Sequence, residues 1–195
     1  MIANSHQKDN IFDSCLDELI ASIRSVVPNA IIVIRPHPQY VRRNPARWEA
    51  IRSRYSSTST SSLHLIIEDD FSKPSTMDRS DVLITDWSGI AYEYAFKTKR
   101  PVLFVDTPMK VINPEWRKID IVPTDISFRN EVGVSVPMED IAKAGPSVAD
   151  MLAHPDRFAA KIDALLKAQF FNPGHAGEVV GGYILDSLIA KRKKS

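Results

Sequence analysis

Residues Asp81 to Asp106 read DVLITDWSGIAYEYAFKTKRPVLFVD. Val82, Leu83 and Ile84 form an apolar run of the kind that lies covered on both faces of a parallel sheet, and Val102 to Val105 form a second. Parallel neighbours need a crossover, so a helix is expected between them. Thr85, Asp86, Trp87, Ser88 and Gly89 then stand where the first strand ends and that helix begins. Free backbone N–H groups and the positive end of the helix dipole point out of the strand ends there, which makes the junction a place to receive an anion.

Working outward, Met1 to Ala3 reads as a short strand. Leu16, Leu19, Ile20, Ile23 and Val27 recur at helical spacing, which predicts a helix from Ile11 to Val27 stopped by Pro28 and Asn29. Ala30 to Ile34 is expected to be a buried strand. Asn44 before Pro45 signals a helix start that carries to about Tyr55. The Ser/Thr tract Ser56 to Ser62 is expected to be a loop, Leu63 to Ile67 a strand with His64 at its surface, and Ser75 to Arg79 a short helix. This alternation argues an α/β fold: a Rossmann-like parallel sheet flanked by helices. Thr107 to Pro137 is punctuated by prolines and reads as a long loop of the functional or lid kind. From Met138 the chain is expected to be mainly helical, with breaks at Gly145, Pro155 and Pro173, ending in a helical C-terminal tail. Residues 1–195 thus form a single domain. Its first strand, cut short at Met1, is expected to leave a sheet edge exposed, and that edge invites pairing with a partner chain or a second copy.

At 195 residues, 44% hydrophobic and 25% charged, the chain can build one good core. Its 25 Lys and Arg against 24 Asp and Glu leave a net charge of +1, which argues against a nucleic-acid binder and makes any anion site local. The single cysteine, Cys15, excludes an internal disulfide and fits a reducing compartment; its side chain reads as a small buried apolar group rather than a reactive thiol. No apolar run approaches the roughly 20 residues that span a bilayer, and the start lacks the order of a signal peptide, so a cytoplasmic protein is expected. Lys191, Arg192, Lys193 and Lys194 read as a solvated helix end, or as a peripheral contact with anionic lipid worth about 1 kcal/mol per residue.

In open parallel sheets ligands sit beyond the carboxyl ends of the strands, so the residues that follow each strand are the candidates. Arg35-Pro36-His37-Pro38 holds a histidine between two prolines, which restricts the backbone and suits a group that meets charge on a phosphate; packing against the sheet edge is the structural alternative. Ser88 either caps the helix or gives its hydroxyl to a ligand, and Gly89 lets a ligand approach the backbone. Glu93, five residues past Ser88, either reaches a ribose diol or faces solvent. Asn172 to Gly177 precedes the last helix and on residue chemistry alone is a turn. The five histidines, His6, His37, His64, His154 and His175, show no metal-ligand spacing, and there is neither a Walker-type loop nor G-x-G-x-x-G. No metal and no cofactor is expected.

Three blocks, VIRPHPQ, DVLITDWSGIAYEYAFKTKRPVLFVDTP and FNPGHAGEVVGGYIL, resemble in order the nucleotide-binding half of the CDP-glycerol glycerophosphotransferase family, which builds teichoic-acid-like polymers of the cell envelope. The resemblance runs from about Ala30 to Leu188. It implies one half of a GT-B fold that holds CDP-glycerol or another nucleotide-diphosphate donor, with an inverting, metal-independent transfer of glycerol phosphate to a polyol-phosphate or glycan acceptor. The His-Pro motif falls on His37-Pro38 and implies a catalytic imidazole near the donor pyrophosphate, with Arg35 beside it on the donor. Thr85, Asp86 and Ser88, with Gly89, are implied to bind its phosphates, Glu93 its ribose, and Gly174, His175 and Ala176 a further part of it. Gly89 stands where a second serine is usual, and Val179 where a basic residue is common.

The same central segment is similar to the Thr-Asp-Ser-Gly-Gly region of UDP-N-acetylglucosamine 2-epimerases, whose matching glutamate contacts the ribose. A UDP-sugar transferase or epimerase-like domain is therefore an alternative. A third reading is a non-catalytic nucleotide-binding half that needs a partner chain, because the resemblance places the acceptor site and a second catalytic histidine in a first half that this chain lacks.

Overall fold

Both apolar runs around the Asp86 junction are buried strands. Leu83–Thr85 (β4) and Val102–Asp106 (β5) pair in parallel, with Leu83 beside Val102 and Thr85 beside Phe104. The computed structural model describes residues 1–57, 64–73, 76–111 and 113–192. Four more strands complete the sheet: Ile2–Ala3 (β1), Ile32–Arg35 (β2), Leu65–Ile67 (β3) and Gly133–Pro137 (β6). All pairings are parallel and the order is β3-β2-β1-β4-β5-β6.

This order corrects one expectation. β1 lies in the middle of the sheet, with Ile2 paired to Ile34 on one side and Ile84 on the other, so Met1 to Ala3 exposes no edge. The edges are β3 and β6. Strand order is a tertiary property, and a two-residue apolar stretch carries no sign of how many neighbours it has. The chain grows outward from β1 through β2 to β3, then returns to start again at β4. In such a sheet the reversal point, here between β1 and β4, opens a crevice at the carboxyl ends.

The expected loop Thr107 to Pro137 is also corrected. It holds a 3-10 turn at Trp116–Lys118, two short helices, Thr124–Ser127 and Arg129–Val132, and the sixth strand. Gly133-Val134-Ser135-Val136-Pro137 alternates too briefly between a glycine and a proline to declare itself as a strand. Gly133 is required by close approach: a Cβ there would lie 1.7 Å from the Val102 carbonyl oxygen.

Ten helices can be numbered along the described chain. The helix expected from Ile11 to Val27 is two, Ile11–Ser14 (α1) and Leu16–Val26 (α2), parted at Cys15, whose φ of −154° leaves the helical region. Leu16, Leu19, Ile20 and Ile23 bury one face of α2. Pro38–Arg43 (α3) begins directly after His37, earlier than the Asn44-Pro45 signal, and Pro45–Ser57 (α4) follows where that signal placed it. Ser56 and Ser57 therefore end a helix, and the rest of the expected loop, residues 58–62, lies outside the described residues. Ile90–Thr98 (α5) is the expected crossover; α6 and α7 are the two short helices named above.

A 3-10 turn at Met138–Lys143 leads into Ala144–Ala153 (α8), which runs through Gly145 instead of breaking there. The reason is packing. A Cβ on Gly145 would lie 2.0 Å from the Ser22 carbonyl oxygen, so glycine is what lets α8 seat against α2, and Ser22 Oγ accepts from the Gly145 amide at 2.8 Å. Pro155–Gln169 (α9) packs on both α5 and α7. Ala176–Arg192 (α10) buries no residue and exposes Val180, Ile184, Leu185, Leu188 and Ile189. Lys193 and Lys194 lie outside the described residues. No helix among the described residues is long and apolar enough to cross a membrane.

Candidate functional site

At the crevice the loops after four strands are bonded to one another. Asn4, directly after β1, is buried and its Oδ1 accepts the His37 amide at 2.8 Å. The next residue, Ser5, donates its amide to Asp86 Oδ1 at 2.7 Å. The Asn4-Ser5 pair is thus held on one side by the imidazole loop after β2 and on the other by the loop after β4. Gln7 Nε2 donates to the Pro108 carbonyl at 3.0 Å, and Trp87 Nε1 to the Thr107 carbonyl at 2.8 Å, which adds the loop after β5.

His37 caps α3. Its Nδ1 accepts the Gln39 amide at 3.0 Å, and Pro38 occupies the first helical position, where a missing N–H costs nothing. With Nδ1 accepting, the neutral ring carries its proton on Nε2, which is left as a donor. The rings of His6 and His37 lie 4.7 Å apart between centroids. Burial, then the neighbouring His6, Lys110 and Arg43, hold His37 below the usual imidazole range; burial, Lys110 and Arg43 do the same to His6.

The β4–α5 junction is open on one side and filled on the other. At Gly89 a Cβ would meet nothing within 4 Å, so a ligand can approach the start of α5 there. Beneath it, Arg129 is buried with its guanidinium 4.1 Å from the Trp87 ring and 4.2 Å from the Phe104 ring. It donates to the Asp86 carbonyl at 3.2 Å and pairs with Asp106. Only about 10 Å³ of space remains among Trp87, Ser88, Tyr92, Phe104, Asp125 and Arg129. Sequence reasoning missed Arg129, because it lies in the segment read as a loop; an arginine in such a segment looks like any solvated cation.

Two expected ligand-binding groups are committed elsewhere. Asp86 is fully buried and accepts from the amides of Ser5 and Ile11, so it braces the β1 and β4 loops rather than facing a ligand. Burial pushes its carboxyl above the usual range, against those two amides. Arg35 pairs with Glu68, whose other oxygen accepts the Thr76 amide at 3.0 Å, so it ties β2 to the segment after β3. Thr85 is also fully buried, with its hydroxyl unpartnered.

Ser88 is half-buried at the junction, and Glu93 is exposed on the first turn of α5 without an ion pair among the described residues. Its neighbours differ: Tyr94 is buried and donates its hydroxyl to the Ser80 carbonyl, and Tyr92 donates to the Asp125 carbonyl, each at 2.8 Å. Gly174, His175 and Ala176 are exposed and their hydrogen bonds are local, His175 meeting Glu178 at 3.3 Å; Gly174 has φ of +84°, a turn conformation.

Away from the crevice, a cavity of about 460 Å³ separates α1 and α2 from α4. Two of its acidic groups are internally bonded, Asp13 to Arg47 and Tyr40, and Asp17 to Arg54 and Tyr55. Burial pushes the adjoining Cys15 thiol up to about 12, so it stays protonated. No group of three or more His, Cys, Asp or Glu among the described residues is arranged to hold a metal.

A six-stranded parallel sheet with a 3-2-1-4-5-6 order, reversing between β1 and β4, defines a Rossmann-like domain. The model of the family CDP-Glycerol:Poly(glycerophosphate) glycerophosphotransferase matches residues 4–111, over half of the chain, and the chain belongs to that transferase family. No curated protein matches it. Among solved structures, the UDP-GlcNAc 2-epimerase of Methanocaldococcus jannaschii, in complex with UDP-GlcNAc and UDP, is similar with a TM-score of 0.45 and 16% identity. The likeness covers 77% of this chain and 37% of that one.

Proposed function

We propose that the chain is the donor-binding half of a GT-B glycerophosphotransferase, holding CDP-glycerol at the crevice between β1 and β4. The observation that carries this reading is the span of the family match: residues 4–111 include the loops after β1, β2, β4 and β5, the same loops that bond to one another around the crevice. The Ser88 hydroxyl and the amides of Ser88 and Gly89 would hold the donor phosphates at the start of α5. Glu93 would bind the ribose, and Gly174 to Ala176 a more distant part of the nucleotide. Thr85, Asp86 and Arg35 would support these groups from behind.

In the transfer, the acceptor hydroxyl oxygen bonds to the phosphorus that carries glycerol while the bridging P–O bond breaks, and CMP leaves with the electron pair. The acceptor proton goes to a base on the acceptor side of the transfer. His37 Nε2–H faces the leaving oxygen and stabilises its growing charge; preorganised donors of this kind supply much of the catalysis in phosphoryl transfer. The reading places the work in the cytoplasm, where a nucleotide donor is made, and polymer synthesis at the cell envelope follows from the family's chemistry.

Calorimetric titration with CDP-glycerol, CDP and UDP tests it. Tighter binding of CDP-glycerol than of UDP supports the reading. Preference for UDP transfers the site to sugar chemistry, and no binding by any of the three rejects it.

A further inference from the structure

Four basic residues stand on the segments beyond the carboxyl ends of the central strands: His6 after β1, His37 after β2, Arg43 at the end of α3 and Lys110 after β5. The two rings are in contact at 4.7 Å, and both cations lie near enough to depress the basicity of both imidazoles. The Gln7–Pro108 hydrogen bond at 3.0 Å holds the His6 loop to the loop that carries Lys110.

The charge of this cluster is not compensated. Neither Arg43 nor Lys110 forms an ion pair among the described residues. The nearby carboxylates are engaged elsewhere: Asp86 with two amides, Asp106 with Arg129, Asp13 with Arg47 and Asp9 with Lys8 at 3.9 Å. Like charges gathered without a counterion cost free energy, so their retention at a crevice points to an anionic ligand that neutralises them. The donor set decides the class of anion. Two imidazoles, a guanidinium and an ammonium carry more N–H donors than the two oxygens of a carboxylate can take, and a phosphate offers more oxygens to receive them.

We infer that His6, His37, Arg43 and Lys110 form a phosphate-oxyanion subsite, separate from the amides at the start of α5. The inference rests on the donor-site reading above for what the phosphate is attached to: either the donor's outer phosphoryl group or the phosphate of the acceptor.

The test uses the chain with 13C-labelled histidine, titrated with inorganic pyrophosphate and with glycerol 3-phosphate. The subsite predicts that at least one of these anions shifts the ring resonances of both His6 and His37. Lys110→Ala and Arg43→Ala should each weaken that anion about tenfold, the loss of one charge-assisted contact. CDP binding should stay within about twofold in Lys110→Ala if the anion is the acceptor's, and weaken in parallel if it is the donor's. An anion displaced by CDP marks the donor phosphate as its source; one retained beside CDP marks the acceptor's. Unmoved His6 and His37 resonances at about 10 mM of both anions would overturn the subsite whether or not CDP binds. Normal anion shifts without any CDP binding would reject the donor reading and leave the subsite standing.

Discussion

The guanidinium of Arg129 lies 4.1 Å from the ring of Trp87, joining a segment that precedes the edge strand β6 to the loop that opens α5. Phe104 closes the other side at 4.2 Å, and the Asp86 carbonyl and the Asp106 carboxylate take its N–H groups. The floor of the junction is therefore built on one buried cation.

Arg129→Met removes that cation and leaves Asp106 without its partner. A loss of about 3 kcal/mol is expected from the broken pair and the lost stacking. Arg129→Lys keeps the charge but not the planar fork, and should recover only part of it. Urea unfolding of the two variants measures this; a wild-type midpoint for Arg129→Met would contradict the role.

Asp86→Ala takes away the acceptor shared by the amides of Ser5 and Ile11. Hydrogen bonds to a charged group are worth about 1.5–3 kcal/mol each, offset here by relief of a buried carboxylate, so a net loss of about 2 kcal/mol is expected. Hydrogen exchange at the Ser5 and Ile11 amides should accelerate together. Unchanged protection at both would show that the carboxylate does not brace the loops.

Gly145→Ala places a methyl group 2.0 Å from the Ser22 carbonyl oxygen. The α2–α8 contact must open, at about 1–3 kcal/mol for overpacking, although alanine is the better helix former. The urea midpoint should fall with an unchanged m-value, and nucleotide binding should be unaffected in the fraction that stays folded.

Both imidazoles of the crevice titrate below the usual value of about 6.5. A depressed histidine contributes stability that is present above its unfolded pKa and is lost as pH falls through its folded one. Thermal stability of the free chain should thus decline from pH 7 toward pH 5, and pyrophosphate should restore it by neutralising the protonated rings. A His6→Gln, His37→Gln double variant should show a shallower decline. An equal decline would assign the pH dependence to other groups.

On the proposed function, His37→Ala should lower transfer by more than a hundredfold, within the range of a lost acid–base or charge-stabilising group, while CDP affinity stays within a few fold. Unchanged turnover would reject the catalytic role of His37.

The parallel α/β architecture was legible because its strands are short buried runs of Val, Leu and Ile separated by helical periodicity, most clearly at Leu83–Thr85 and Val102–Asp106. β6 was not, since Gly133-Val134-Ser135-Val136-Pro137 gains its strand character from pairing with β5. The central place of β1 was hidden for the same reason. Within the site, the positions of His37 and Ser88 followed from strand ends, but the engagement of Asp86 and Arg35 did not. Spacing shows that a polar group stands at a strand end; it does not show whether that group turns outward to a ligand or inward to an amide such as Ser5 or a carboxylate such as Glu68. The Arg129 contacts with Asp106 and Asp86 and the His6–His37 contact join residues 23 to 43 positions apart, beyond the reach of any local pattern.

Backbone amide NMR of the chain titrated with CDP tests the central claim most directly. The account predicts the largest shifts at the amides of Ser88, Gly89 and Ile90, with accompanying shifts on the imidazole of His37. Saturable CDP binding that leaves those three amides unmoved would contradict it.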